Sequence, residues 1–509
     1  MSKHSLDTES VDFMFSAEET FDLSDYLIGR QLGEGLGYTR KKSHMRRNAA
    51  VSRKPSSFTM GKSSLKKLMS WLGPTSSRAE LPLELSTNSM SGLALDLSSS
   101  TLVNNNSNSK NCNLNNQREL QWCHSSYPEM ENVLDYTARK VPASVQEYEY
   151  DMKGFNKVFS AAWISDTQVI MGTKCQNLII LDVESGKKMI IPSADPLEHE
   201  PGPASQCHGI QSISINPSRT LLAVGAGKPR NGSKEFGIHV YLLPSFQPIG
   251  ILVGHEDMVF SVSWIDDTTL VSGSRDKSLK TWKVDDLARL SEKNYIDNSG
   301  TDIPQVKRCS PHDSQVQHDQ KVRDVVFDRA TTQIFTLSAD GSVKIWDSCK
   351  SRVTGSISLN YTNETVCLAL DPNQHLISVG SQAHISIIDP RIGEIVHSFE
   401  SLDEGWGVRS MTIHRGLLTI GGGLGRVSFY DLRAQSYLNW NSSAGSFQRY
   451  LNSGQGWLSK DSIYLRHFQG MKVSNAVYSL AYDDSYGKLF MAGGPLQLNL
   501  KGSYCGLWK

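Results

Sequence analysis

From Phe155 onward the chain is written in short apolar runs broken by polar or glycine-containing turns, and one sub-pattern returns seven times. Its first run reads Val158-Phe159-Ser160-Ala161, then Ile210-Gln211-Ser212-Ile213, Val259-Phe260-Ser261-Val262, Val322-Arg323-Asp324-Val325, Val366-Cys367-Leu368-Ala369, Val408-Arg409-Ser410-Met411 and Val477-Tyr478-Ser479-Leu480. Each is followed by a turn, a second run ending in small residues, and a third run. A period of roughly 40 residues built from short strands marks one four-stranded blade, which buries its faces only by stacking on its neighbours. The pattern predicts an all-β, seven-bladed β-propeller over residues 155–509. The last repeat ends at Trp508-Lys509, with Gly506-Leu507-Trp508 as its third strand and nothing left for a fourth. An open ring leaves an unpaired edge, so the alternating run Val145-Gln146-Glu147-Tyr148-Glu149-Tyr150 is the expected closing strand. Extra residues at about 287–317 and 439–472 read as surface loops.

The residues before the ring have another character. Residues 1–115 are rich in Ser, Asn, Lys and Arg without sustained periodicity, a composition that predicts a disordered tail. Its clusters Arg40-Lys41-Lys42 and Arg46-Arg47 fit a nuclear localisation signal or a plain solvated tail. Leu65, Leu68, Met69 and Leu72 share one face of a short helix suited to a partner or a membrane surface. Gly33-Glu34-Gly35-Leu36-Gly37 lacks the companion motifs of a nucleotide site and reads as linker. Residues 116–154 are expected to hold a helix, Glu129 to Arg139, and the closing strand.

Charge and cysteine narrow the function classes. Lys+Arg and Asp+Glu are both 52, so the net charge is +0, which excludes nucleic-acid binding by bulk charge. The 8 cysteines form no Cys-x-x-Cys pair and no zinc-spaced set, so they read as reduced thiols of an intracellular protein, with no metal or cofactor expected. No apolar run approaches 18 residues, and a cytoplasmic and nuclear location without membrane contact is the expectation.

One repeat runs from Gly254-His255 through Ser272-Gly273-Ser274-Arg275-Asp276 to Thr281-Trp282, and a second carries His318, Ser338, Asp340 and Trp346-Asp347. These resemble the WD40 family. There the His, Ser, Asp and Trp form a buried hydrogen-bond chain, so His255, Asp276, Trp282, His318, Asp340 and Trp346 read as structural. No nucleophile elbow or other catalytic set is present, and binding is the expected task.

Aligning the seven first runs makes one position comparable around the ring: Phe159, Gln211, Phe260, Arg323, Cys367, Arg409 and Tyr478. It falls at the start of the innermost strand, near the channel mouth. Lys174 and Arg275 follow second strands at ends that open onto the same face, and Lys157 and Lys321 immediately precede innermost strands. Cations converging on one funnel focus a positive potential on an anionic ligand, either an acidic peptide end or a phosphopeptide.

The runs Ile388-Asp389-Pro390-Arg391 and Tyr430-Asp431-Leu432-Arg433 close two successive repeats at the same offset, toward the opposite face. Singly, each is a local ion pair of small worth. As a pair they resemble the doubled motif by which WD40 substrate receptors of cullin-4 ubiquitin ligases dock on their adaptor, the large damaged-DNA-binding subunit. The runs Asn156-Lys157-Val158-Phe159, Gly172-Thr173-Lys174-Cys175, Asn216 to Ala223, Val379 to His384 and Ala492-Gly493-Gly494-Pro495-Leu496 look like the factor-twelve group of those receptors. The resemblance implies a non-catalytic receptor that binds proteins with acidic C-termini, notably a terminal Glu-Glu, and presents them for ubiquitination and proteasomal degradation. Its basic pocket carries over to Lys157, Lys174, Arg275, Lys321, Arg323 and Arg409. It places adaptor docking on Asp389, Arg391, Asp431 and Arg433, with cullin-4 and a RING protein reached through the adaptor, and gives a preceding helix a further adaptor contact. The rival reading is a WD40 scaffold that binds acidic or phosphorylated partners without a ligase.

Overall fold

The computed structural model describes residues 139–193, 209–225, 236–287, 306–441, 447–497 and 499–509. The tail to residue 115, its basic clusters and short helix, and all of the Glu129 to Arg139 helix except its last residue lie outside them. The described strands form seven main sheets, each a blade built on antiparallel strands, with one parallel addition at the edge of blade two. The innermost strands, in ring order, are Val158–Ser165, Ser212–Ile215, Val259–Trp264, Val322–Asp328, Cys367–Leu370, Val408–His414 and Asn475–Tyr482. The seven-bladed propeller read from the periodicity is the fold.

The ring is closed from upstream. Glu147–Glu149 pairs antiparallel with the third strand of blade seven, Gly502–Trp508, in the register Glu147 to Trp508, Tyr148 to Leu507 and Glu149 to Gly506. This segment lies within the run Val145 to Tyr150, whose alternation suits an outer strand.

The second strand of each blade explains why those runs end in small residues. Strands such as Gln168–Thr173, Thr269–Ser274 and Leu417–Gly422 are buried almost throughout, because neighbouring blades cover both faces. Near their ends the next blade's innermost strand, or the residues leading into it, crosses very close. A Cβ on Gly172 would stand 2.3 Å from Ile210 Cγ2, one on Gly273 2.5 Å from Val322 Cγ1, and one on Gly380 2.6 Å from Val408 Cγ1. The apolar clusters therefore span blade pairs, as where Val158 and Met171 of blade one meet Phe490 and Leu507 of blade seven.

The two insertions are more than surface loops. Residues 307–309 add a parallel fifth strand to the outer edge of blade two, and Asp313–Val316 supplies the fourth strand of blade three. In the second insertion Tyr450–Asn452 continues the outer edge of blade six, Trp457–Leu458 pairs with Gly502–Trp508, and Ser462–His467 forms a short helix. The physical reason is the same at each edge: exposed N–H and C=O groups of an outer strand find partners in whatever chain passes.

Candidate functional site

The aligned position of the sequence has a specific backbone origin. In blades one, three, four, six and seven the pairing of the first two strands slips by one residue, and the residues left over are Phe159, Phe260, Arg323, Arg409 and Tyr478. A bulge of this kind re-aims a side chain. All seven aligned residues line one axial cavity of about 240 Å³.

In five of the seven strands the next residue bonds to the neighbouring blade. Ser160 Oγ accepts from Ile213 N at 3.0 Å, Ser212 Oγ from Val262 N at 3.0 Å, Asp324 Oδ2 from Leu368 N at 2.7 Å and Ser479 Oγ from Ala161 N at 3.0 Å, while Ser410 Oγ donates to Val477 O at 2.9 Å. These short polar bridges hold the blades in phase around the cavity. Sequence reasoning missed them, although the recurring serine beside the aligned position was their signal.

Arg323 and Arg409 project into the cavity from blades four and six. Arg323 lies 4.4 Å from the centroid of the Phe260 ring, and its Nε and Nη1 are shielded from solvent without a hydrogen-bond partner among the described residues. Burial, and the charge of Arg409 beside it, pull its pKa down to about 10, so it remains a cation at neutral pH. Arg409 Nη2 donates to Glu364 Oε2 at 2.6 Å and to Trp406 O at 3.1 Å, while its Nε has no such partner. Tyr478 adds a fourth donor without a partner among the described residues, a hydroxyl whose pKa burial pushes up to about 12. Buried donors ordinarily have acceptors. A cavity wall with several lacking one is chemically suited to an anion that brings oxygens.

The other four expected cations are placed differently. Lys174 N donates to Lys157 O at 2.8 Å, Arg275 N to Met258 O at 2.8 Å and Ala339 N to Lys321 O at 3.0 Å, so all four residues sit at the same ends of their blades, around the mouth. None of the four lines the axial cavity itself. Arg275 Nε stands 3.6 Å from Asp257 Oδ2, and burial followed by the charge of Lys501 lowers the pKa of Lys174. Lys157 departs furthest from the expectation: it is 1% exposed and its Nζ donates to Gln497 O and Leu500 O, each at 2.7 Å. Its ammonium thus joins the Gln497 and Leu500 carbonyls. Burial, with Lys174 nearby, drives its pKa well down.

At the opposite ends of the blades the two Asp-x-Arg stretches separate into a general part and a particular part. Asp182, Asp347, Asp389 and Asp431 all end third strands, and each accepts backbone amides from the turn that follows, as Asp389 does from Arg391 N at 3.0 Å and Asp431 from Arg433 N at 2.9 Å. The aspartate is a turn device shared by four blades. The residue two places on is Glu184, Cys349, Arg391 or Arg433, so the arginine belongs to blades five and six. Arg391 folds back on Asp389, Nε to Oδ1 at 3.0 Å, and stays 42% exposed. Arg139 Nε donates to Asp431 Oδ2, which brings the last residue of the expected N-terminal helix onto this face. Hydrogen bonds to Arg139 and the turn amides hold the Asp431 carboxyl below its usual range despite its burial.

The WD40 network is present in blade three. His255 joins Asp276 Oδ2 through Nδ1 and Ser272 Oγ through Nε2, both at 2.7 Å, and Trp282 Nε1 donates to the same Ser272 Oγ at 2.8 Å. This is the geometry of a Ser-His-Asp triad, but it is sealed in the core and the hydroxyl is occupied by the indole. In blade four the hydroxyl comes from Thr336 instead of Ser338: His318 Nε2 and Trp346 Nε1 meet Thr336 Oγ1 at 2.7 and 2.8 Å, and Ser338 Oγ donates to Gln320 O. The strand register decides this, since Thr336 in blade four is the counterpart of Ser272. Asp340 accepts from Ser342 N at 2.8 Å, and His318 Nδ1 meets Ser342 Oγ at 3.4 Å.

Residues 141–509 match the family model described as the DDB1- and CUL4-associated factor 12 beta propeller. The chain belongs to that family. It is a WD40 receptor of the CUL4-associated type, a class of propellers that in general bind rather than catalyse. The chain is also similar to ribosome biogenesis protein YTM1 of Vanderwaltozyma polyspora, 28% identical over 165 residues, which cover 28% of this chain and 36% of that protein. The receptor thus spans about a third of the length of that curated relative.

Proposed function

We propose that this receptor holds the acidic C-terminus of a substrate protein in its axial funnel and presents that protein to a cullin-4 ligase for ubiquitination and degradation. The observation that carries the reading is the pair Arg323 and Arg409 in the wall of the axial cavity, cations with buried N–H groups that have no acceptor among the described residues. A chain end bearing a terminal carboxylate and two glutamate side chains supplies up to three negative groups. Each can take charge-assisted hydrogen bonds where solvent competes weakly. Lys174, Arg275 and Lys321 at the mouth steer and contact the acidic side chains, while Lys157 acts from beneath by joining the Gln497 and Leu500 carbonyls.

The adaptor face is the other half of the proposal. Arg391 and Arg433 are exposed on adjacent blades, and Arg139 donates to Asp431 beside them. We assign these arginines, on turns set by Asp389 and Asp431, to docking on DDB1, and through it to CUL4 and the RING protein. The receptor is non-catalytic in this assembly and works in the cytoplasm and nucleus.

Calorimetry on the full chain tests the ligand assignment. A peptide ending in Glu-Glu with a free carboxylate binds, and its C-terminally amidated form loses at least tenfold in affinity, in keeping with one charge-assisted contact of about 1.5–3 kcal/mol. Equal affinity for the two peptides would rule out recognition of the terminus.

A further inference from the structure

Two carboxylates stand near the funnel's arginines: Asp324 lines the cavity and accepts from Leu368 N, while Glu364, outside the lining, holds Arg409 directly. Glu364 precedes the innermost strand of blade five, and its Oε2 accepts from Arg409 Nη2 at 2.6 Å, with side-chain exposures of 22% for the glutamate and 8% for the arginine. Its φ of +52° is one that a residue with a Cβ adopts infrequently. The surrounding segment is fixed at several points, so this backbone is held in place. Asn363 O accepts from Gln382 N at 2.8 Å, Thr365 Oγ1 donates to Ser338 O at 3.1 Å, and the Tyr361 ring stacks on His384 at 3.7 Å and 5°. The negative charge of Glu364 also reaches Arg323 and Tyr478, the other donors of the cavity.

We infer that Glu364 is an internal stand-in for the ligand's carboxylate, and that its displacement from Arg409 sets the number of acidic groups a substrate end must carry. The inference rests on the proposed reading of the funnel as an acidic-terminus site. A ligand with one carboxylate exchanges one Arg409 ion pair for another and releases Glu364, so it gains little. A ligand with two or three also supplies acceptors to the Arg323 and Tyr478 donors that Glu364 leaves unpaired, and it gains. Selectivity for a doubly acidic end then arises from a competitor built into the site as well as from attraction.

Glu364→Gln removes the competing charge with little change of shape. Full-length protein and this variant are titrated with peptides ending in Glu-Glu and in Ala-Ala, each with a free carboxylate, with thermal midpoints measured alongside. The expected result is tighter binding of both peptides by the variant. The Ala-Ala peptide gains at least fivefold more than the Glu-Glu peptide, so discrimination narrows. Glu364→Ala should behave in the same direction, which separates loss of charge from a packing effect of the amide. Wild-type binding of the Glu-Glu peptide with unchanged or weaker binding by both variants, at unchanged thermal midpoint, would overturn the role of Glu364 and leave the terminus reading standing. Absence of binding by wild type and variants alike would overturn both.

Discussion

The two ends of the propeller's blades carry arginines in opposite states. At the funnel end, Arg323 and Arg409 are drawn out of solvent by backbone bulges, and three of their N–H groups lack acceptors among the described residues. At the other end, Arg391 keeps 42% exposure and rests on its own Asp389. Under the function proposed above, the difference separates two kinds of binding surface. A buried donor without an acceptor carries a standing desolvation cost, which an anion relieves on arrival, so it favours small ligands of defined charge. An exposed arginine on a rigid turn gives little alone and becomes valuable only when a large partner excludes water around it.

The strongest way to break this comparison is to exchange the lesions. Arg409→Glu places a second carboxylate beside Glu364, and peptide binding should fall at least 100-fold, the loss of one charge-assisted contact plus new repulsion. Capture of DDB1 by the same variant should be unchanged. The double change Arg391→Ala and Arg433→Ala should reverse the outcome, cutting DDB1 capture by about tenfold or more, as for loss of two interface arginines, while leaving peptide affinity within twofold. Either variant losing both activities at an unaltered thermal midpoint would mean that the two ends are not independent.

Most of this division was legible in the chain. The seven short runs gave the blade count, and their alignment selected a position whose seven residues all line the axial cavity, because a period fixes a place on a ring. The closing strand followed from a missing fourth strand and an alternating segment upstream. What stayed hidden needed three dimensions. Lys157 sits two residues before the aligned position, yet only the placement of the Gln497 and Leu500 carbonyls decides where its ammonium points. Glu364 has no motif, and its importance comes from a backbone fixed by contacts with blades four and five. The choice of Thr336 over Ser338 depended on strand register, which two nearby hydroxyls cannot reveal.

A smaller effect tests whether the two ends share one scaffold. His318 is held neutral in blade four, its pKa pushed down to about 4 chiefly by burial. Since the unfolded histidine titrates near 6.5, the unfolded chain takes up the proton first as pH falls. The contribution to stability is therefore complete above about pH 6.5 and is lost progressively toward pH 4, by at most about 3 kcal/mol. His255 is shifted in the same direction. Thermal midpoints should fall between pH 7 and pH 5, with peptide binding and DDB1 capture declining only where the protein unfolds. A midpoint flat across this range would show that these histidines do not anchor the blades.

The smallest expected effect on binding concerns Lys157, and it marks where the funnel stops. If the ammonium serves the Gln497 and Leu500 carbonyls, Lys157→Met should change the affinity for the Glu-Glu peptide by less than about threefold, yet lower the thermal midpoint, because two buried carbonyls lose their donor at roughly 1–3 kcal/mol each. Lys174→Met, at the adjoining position on the mouth, should show the reverse: a larger loss of affinity with little loss of stability. Two lysines joined by one backbone hydrogen bond would then differ only in where their chains end. A large affinity loss from Lys157→Met at an unchanged midpoint would instead return its ammonium to the ligand's path and require the two carbonyls to release it when the acidic end binds.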